Sequence, residues 1–274
     1  MNKLGTAKRS QIVAALVEGC SIRSTVHMTG ASKNTIAKLL VELGAACSDY
    51  LDKKLVNLNG KRIQCDEIWQ FVGAKQKNVP VERRDEFGIG DVWTWVAIDA
   101  DSKLICSWLV GKRDPGCATE FIPDLAGRLR NRVQLTTDGL KMYLTAVADG
   151  FGENIDYAML IKVYGNAAEG EKRYSPAECT GCKKENKIGR PDPKHISTSY
   201  IERQNLTMRM GMRRFTRLTN AFFKKLENHI AAIAIHCMYY NFVRIHQTLR
   251  VTPAMAAGVT DRLWSIEDLV GLLG

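Results

Sequence analysis

The sequence lacks an apolar run long enough to cross a bilayer. Its longest apolar stretch, residues 230–243, is interrupted by His236 and Asn241, whereas about 20 consecutive apolar residues are needed to span the hydrocarbon core. The basic residues near the start of the chain are not followed by the apolar core of a secretion signal. We therefore expect neither membrane insertion nor secretion.

The sequence also lacks the cysteine pattern of a disulfide-stabilised protein. Its 8 cysteines are scattered, and several lie within apolar runs, where a free cysteine behaves as a small hydrophobic residue. This usage favours a reducing, cytoplasmic setting.

Acidic residues are the third deficit. The chain has 29 Asp and Glu against 39 Lys and Arg, which gives a net charge of +10 over 274 residues. Such an excess favours a polyanionic partner, because neutralising phosphates releases counter-ions. The alternative is a basic protein whose charge serves solubility alone. The length is sufficient for one large domain and a smaller appendage.

Three acidic residues stand in settings that indicate chemistry. Asp66 lies within an apolar alternating run, Asp138 ends a second strand-like run before Gly139, and Glu202 opens a helical pattern. A carboxylate on a buried strand is unfavourable unless something neutralises it. Three such groups can converge on a pair of divalent cations, an arrangement that breaks and joins phosphodiester bonds. Two of the acids also have a simpler interpretation: a strand-ending turn for Asp138 and an exposed ion pair for Glu202. Asp66 is the hardest to explain in this way, because it lies within an apolar strand.

The first part of the chain predicts a helix-turn-helix. Residues 7–53 carry three apolar stripes at helical spacing, with a break at residues 29–31. Ser32 is a candidate N-cap, and the three residues that follow it would project from the first turn of the third helix and contact DNA: Lys33, Asn34 and Thr35. The alternative is a small helical cap on the larger domain.

The middle of the chain predicts a mixed α/β sheet with helices on its faces. Five runs have strand character, namely residues 62–71, 92–98, 104–110, 133–138 and 157–163. Helical patterns at 117–130, 140–149, 198–212 and 219–243 separate or follow them. Residues 165–197 show no sustained period and are predicted to be an insertion or mobile loop.

These segments resemble the DDE transposases of bacterial insertion sequences, and most specifically those of insertion-sequence family one. The resemblance lies in CDEIWQFVG (65–73), VWTWVAID (92–99), TDG (137–139), IERQNL (201–206) and YNFVRIHQTL (240–249) followed by Thr252 and Pro253. It implies a helix-turn-helix domain at 1–55, a ribonuclease-H-like catalytic domain at 60–258 and a helical tail at 259–274.

The resemblance also implies an activity. Asp66, Asp138 and Glu202 would bind two Mg²⁺ ions, for which Mn²⁺ may substitute, and would catalyse DNA strand cleavage and strand transfer. The partners would be double-stranded DNA, both element ends and target, and further copies of the chain in a nucleoid-associated homo-oligomer. The helix that begins near Glu202 would contact phosphates through a polar and basic face: Asn205, Arg209, Arg213, Arg214 and Arg217.

Several alternatives stay open at this point. The long interval after Asp138 leaves three rivals for the third acid: Glu169, Glu171 and Glu178. A non-catalytic DNA-binding regulator and a nuclease acting on RNA–DNA hybrids would share much of the pattern. Cys179 and Cys182 supply two zinc ligands and His195 a third, whereas a structural zinc site needs four.

Overall fold

We analysed a computed structural model of the chain, which describes residues 4–165, 179–212, 215 and 222–274. The described residues form six strands: β1 (Arg62–Val72), β2 (Gly90–Asp99), β3 (Ile105–Gly111), β4 (Gln134–Thr137), β5 (Asp156–Tyr164) and β6 (Cys179–Ile188). The helices are α1 (Thr6–Val17), α2 (Ile22–Thr29), α3 (Lys33–Lys54), α4 (Pro115–Arg128), α5 (Met142–Phe151), α6 (Ser199–Gly211), α7 (Leu226–Met238), α8 (Pro253–Ala256) and α9 (Ile266–Gly271).

The six strands form one mixed sheet in the order β3-β2-β1-β4-β5-β6. β1, β2 and β3 are an antiparallel meander, β4 and β5 run parallel to β1, and β6 is antiparallel to β5. The predicted mixed sheet flanked by helices is confirmed, and its topology is compatible with a ribonuclease-H-like fold.

The alternation of side chains along β1 places helices on both faces of the sheet. On one face, Gln64 accepts hydrogen bonds from the first turn of α6. On the other face, the cross-strand neighbour of Glu67 is Trp95, whose ring packs on Phe121 of α4 and Tyr143 of α5. Neighbouring residues of β1 thus face different helices, as the two-residue period of a strand requires.

The three predicted N-terminal helices are present. Ser21 and Ser32 cap α2 and α3, each accepting a hydrogen bond from the backbone N–H three residues on. Gly30 ends α2 with a φ of 67°, a left-handed conformation that glycine adopts without strain. Helix α3 packs on α7, where Gly44 lies against Ala231. A division of the chain at residue 55 stays a prediction.

Strand β6 was not predicted. The sequence indicated no strand within residues 165–197, yet Cys179–Ile188 pairs with β5 along its whole length. Most of its side chains are exposed, so β6 lacks the alternation of apolar and polar residues from which strands are predicted. The three rival acids Glu169, Glu171 and Glu178 lie outside the described residues.

The last residues of the chain include helix α9. Ser265 and Asp268 form a reciprocal capping box at the start of α9. Among the described residues, no helix is both long and apolar enough to cross a membrane.

Candidate metal centre

Asp66 and Asp138 come from neighbouring parallel strands. The register of β1 and β4 pairs Gln64 with Thr136, so each acid lies two residues beyond a paired position. β4 ends at Thr137, which leaves Asp138 just past the strand, next to the middle of the longer β1. A carboxylate oxygen of each lies within 4.8 Å of the other and of one from Glu67.

Asp66 is held by two donors. One oxygen accepts a hydrogen bond from the backbone N–H of Glu67 (2.8 Å), and the other accepts one from the side-chain amide of Asn205 (2.9 Å). The second bond ties β1 to α6, because Asn205 is one turn beyond Glu202. Asp138 accepts a hydrogen bond from the N–H of Leu140 (2.9 Å), which fixes its side chain over the turn that precedes α5.

Glu67 follows Asp66 directly in β1, and the alternation of side chains along a strand directs it to the opposite face of the sheet. Its contacts do lie on the other face, because it accepts a hydrogen bond from the hydroxyl of Tyr143 in α5. Its carboxylate nevertheless has an oxygen within 4.8 Å of oxygens of Asp66 and Asp138. Arg113 donates to the other oxygen of Glu67 at 3.1 Å and lies 3.7 Å from Asp138.

Glu202 lies near this cluster but is engaged by other groups. It is in the first turn of α6, where Lys162 of β5 forms an ion pair with it at 2.6 Å and Thr198 donates a hydrogen bond to it. The charge of Glu202 still acts on Asp66, whose pKa it helps to raise. Among the described residues, the group of acids close enough to share one ion is Asp66, Glu67 and Asp138.

Two acids of the cluster, Asp66 and Glu67, have raised pKa values. Burial and, to a smaller extent, the negative charge of Asp138 raise the pKa of Asp66 to about 6. Burial likewise raises the pKa of Glu67 to about 7, although the Tyr143 hydroxyl and Arg113 oppose the change. Carboxylates that lie close together repel one another, and a cation bound among them offsets that repulsion.

The donor set fits the predicted metal. Mg²⁺ and Mn²⁺ prefer hard oxygen ligands and are bound through a few carboxylates while keeping several waters. Asp66 and Asp138 are only partly buried, which leaves room for those waters. Glu67 has a side chain that is 0% exposed, so it is the less suitable ligand of the three.

Comparison with known proteins gave structural similarity without sequence similarity. No family model and no curated sequence matches the chain. A solved structure, the piggyBac transposase synaptic complex with hairpin DNA, is similar over 98% of this chain and 69% of that chain, with a TM-score of 0.43 and 11% sequence identity.

The predicted DNA-contacting residues have different environments. Lys33 and Asn34 are exposed at the start of α3, whereas the hydroxyl of Thr35 hydrogen-bonds the capping side chain of Ser32. Asn205 is 5% exposed and bonds Asp66, so it lies inside the acid site rather than on a phosphate-facing surface. Arg209 is half-buried. The remaining three, Arg213, Arg214 and Arg217, lie outside the described residues.

The proposed zinc ligands do not form a metal group within the described part of the chain. Cys179 and Cys182 are exposed on β6. His195 instead bonds the guanidinium of Arg62 at 2.8 Å and lies 3.7 Å from Asp192. A zinc site would need ligands besides these.

Proposed function

We propose that the protein is a transposase that uses divalent metal ions to cleave DNA strands and join them to a target. The observation that carries the proposal is the placement of Asp66 and Asp138. They lie on adjacent parallel strands of a mixed sheet, with carboxylate oxygens within 4.8 Å of one another, and α6 brings Glu202 toward them across one face.

Each residue of the site has a distinct role in this proposal. Asp66 would be the central ligand, since its side chain is fixed from two directions by Glu67 N–H and Asn205. Asp138 is the more exposed acid and would complete the site on the side of α5. When bound, the metal ions supply the positive charge that activates a water or a 3′-hydroxyl and stabilises the leaving oxygen. The protein therefore has to position phosphate and metal rather than take part covalently.

Glu202 is proposed as the third acid. It occupies the N-terminal turn of α6, and its charge already acts on Asp66. To bind metal, its carboxylate has to leave Lys162, with which it is paired at 2.6 Å. No acidic residue lies between Arg203 and Lys225, which leaves the chain beyond Glu202 suited to phosphates. Arg209, Arg213, Arg214 and Arg217 are proposed to contact them.

Sequence-specific DNA reading is assigned to the N-terminal helices. α2, the Gly30 turn and α3 have the order and lengths of a helix-turn-helix. Lys33 and Asn34 are exposed at the N-terminus of α3, which is the part of a recognition helix that enters the major groove. The net charge of +10 supports a nucleic-acid partner for the chain as a whole.

The test compares the cleavage and joining activities of wild type and Asp138→Asn. The substrates are DNA duplexes from either side of the gene that encodes the protein, where the ends of a mobile element would lie. With Mg²⁺, wild type should nick these duplexes and join the new 3′-ends to a second DNA. Asp138→Asn should bind the same duplexes and do neither. Asp149→Asn, which changes an exposed acid on α5, is the matched control and should behave as wild type.

The same assay separates the alternatives. A non-catalytic regulator would bind the flanking DNA and leave it intact in wild type and both variants. A hybrid-specific nuclease would cut an RNA–DNA duplex of the same sequence and spare the DNA duplex. Retained Mg²⁺-dependent cleavage by Asp138→Asn would overturn the assignment of the site.

A further inference from the structure

Arg113 is held next to the acid cluster by a buried anchor. The side chain of Glu67 is 0% exposed, and its two oxygens are divided between the Tyr143 hydroxyl and the Arg113 guanidinium. The guanidinium also lies over the ring of Trp93, 4.8 Å from its centroid, an arrangement that favours a cation. Arg113 is therefore fixed on two sides before it meets Asp138.

The third contact of Arg113 is with the proposed metal ligand. One of its terminal nitrogens lies 3.7 Å from the Asp138 oxygen Oδ2. That distance is an ion pair without a tight hydrogen bond. A guanidinium anchored elsewhere and loosely paired here can give up Asp138 without losing its position.

Lys162 pairs with Glu202 as Arg113 pairs with Asp138. Its ammonium is 2.6 Å from the Glu202 oxygen Oε2, and its charge also lowers the pKa of Asp66. Lys162 projects from β5, two strands from β1 in the sheet order, so it reaches the acids from the side opposite to the β2–β3 hairpin. Arg113 and Lys162 thus lie on opposite sides of four carboxylates, those of Asp66, Glu67, Asp138 and Glu202.

These contacts give Arg113 and Lys162 a role in the metal-free protein. The metal-binding proposal alone gives them none. We infer that Arg113 and Lys162 are resident counter-ions that hold Asp138 and Glu202 in place in the metal-free protein, and that a divalent cation binds by displacing them. The inference rests on the proposed function, because it takes Asp138 and Glu202 as metal ligands. The physical reason is that four carboxylates in a partly buried site repel one another unless cations stand among them.

Metal affinity in the absence of DNA tests the inference. Isothermal titration with Mn²⁺ should show that Lys162→Met and Arg113→Met each bind about three- to tenfold more tightly than wild type, since a competing ion pair of ordinary strength has been removed. Their metal-free forms should also melt at lower temperature. The matched controls are Lys183→Met on β6 and Arg83→Met, which remove the same charges from exposed ion pairs elsewhere, and both should bind as wild type.

A measurement on the unaltered chain avoids any failure of the variants to fold. Lysine acylation followed by mass spectrometry should show that saturating Mg²⁺ increases the reactivity of Lys162 and leaves Lys183 unchanged, because metal binding releases the Lys162 ammonium. Unchanged or weaker Mn²⁺ affinity in both methionine variants, or no change in Lys162 reactivity, would overturn the inference. Asp138→Asn distinguishes a failure of the counter-ion inference from a failure of the proposed metal site. If that variant binds Mn²⁺ as tightly as wild type does, the proposed metal site itself is wrong.

Discussion

Replacing Asp66 with asparagine should stabilise the metal-free protein while removing its ability to bind metal. Asp66 is ionised at pH 7.5 although burial and the neighbouring charge of Asp138 raise its pKa from 3.8 to about 6. A difference of about 2 pKa units corresponds to about 3 kcal/mol of unfavourable interaction in the folded state. Asparagine has almost the same shape and carries no charge.

The replacement also weakens the hydrogen bonding at position 66. Both oxygens of Asp66 accept hydrogen bonds, from Glu67 N–H and from the Asn205 amide, and the new amide nitrogen cannot accept. One mismatched donor costs about 1 kcal/mol. The expected net effect at pH 7.5 is therefore an increase of about 1–2 kcal/mol in the free energy of unfolding.

The sign of the effect should reverse at low pH. An acid whose pKa is raised by folding destabilises the fold at pH values above its folded pKa, and the penalty disappears as pH falls through about 6 toward its unfolded value. At pH 4 only the lost hydrogen bond remains, so Asp66→Asn should be about 1 kcal/mol less stable than wild type.

Urea unfolding at pH 7.5 and pH 4, with EDTA present, measures both differences. Asp149→Asn is the control, since its acid is exposed on α5 and its stability should follow wild type at both pH values. Adding Mg²⁺ at pH 7.5 should raise the stability of wild type and of Asp149→Asn, but not that of Asp66→Asn. If Asp66→Asn is less stable than wild type at pH 7.5 without metal, the account of a strained carboxylate cluster is refuted.

Three further predictions concern other parts of the fold. Tyr143→Phe removes a hydrogen bond from the buried carboxylate of Glu67 and should lower the free energy of unfolding at pH 8 by about 1–3 kcal/mol; an unchanged urea midpoint would contradict this. Gly44→Ala places a methyl group 2.4 Å from an atom of α7 and should cost about 1–3 kcal/mol, whereas a stable variant would show that α3 and α7 are not in close contact. Lys33→Ala should reduce the salt dependence of DNA binding by about one counter-ion, and an unchanged slope would remove Lys33 from the DNA interface.

The alternation of residues was enough to predict most of the sheet. β1 to β5 each contain apolar residues at a two-residue period or in a short run between turn signals, and all were expected close to their observed bounds. Asp66 and Asp138 occupy neighbouring places in the sheet because β1 and β4 pair in parallel, whereas the sequence predicted a mixed sheet without the order of its strands.

The remainder depends on contacts between residues far apart in the chain. Lys162 contacts Glu202 because β5 lies beside the start of α6. No local sequence pattern predicts a contact between residues so far apart in the chain. Glu67 and Asp138 have carboxylate oxygens within 4.8 Å of each other although they are far apart in the chain, so no local sequence pattern predicts this proximity. β6 was missed because its pairing comes from its backbone, while its side chains are mostly charged or polar and exposed.

The most direct test of the central claim is to locate a bound metal ion. Crystals of the protein grown with Mn²⁺ should give an anomalous scattering peak about 2.0–2.2 Å from one carboxylate oxygen of Asp66 and one of Asp138. The same peak should be absent from crystals of Asp138→Asn. A peak bound by other residues, or none at these two acids in metal-saturated crystals, would contradict the account.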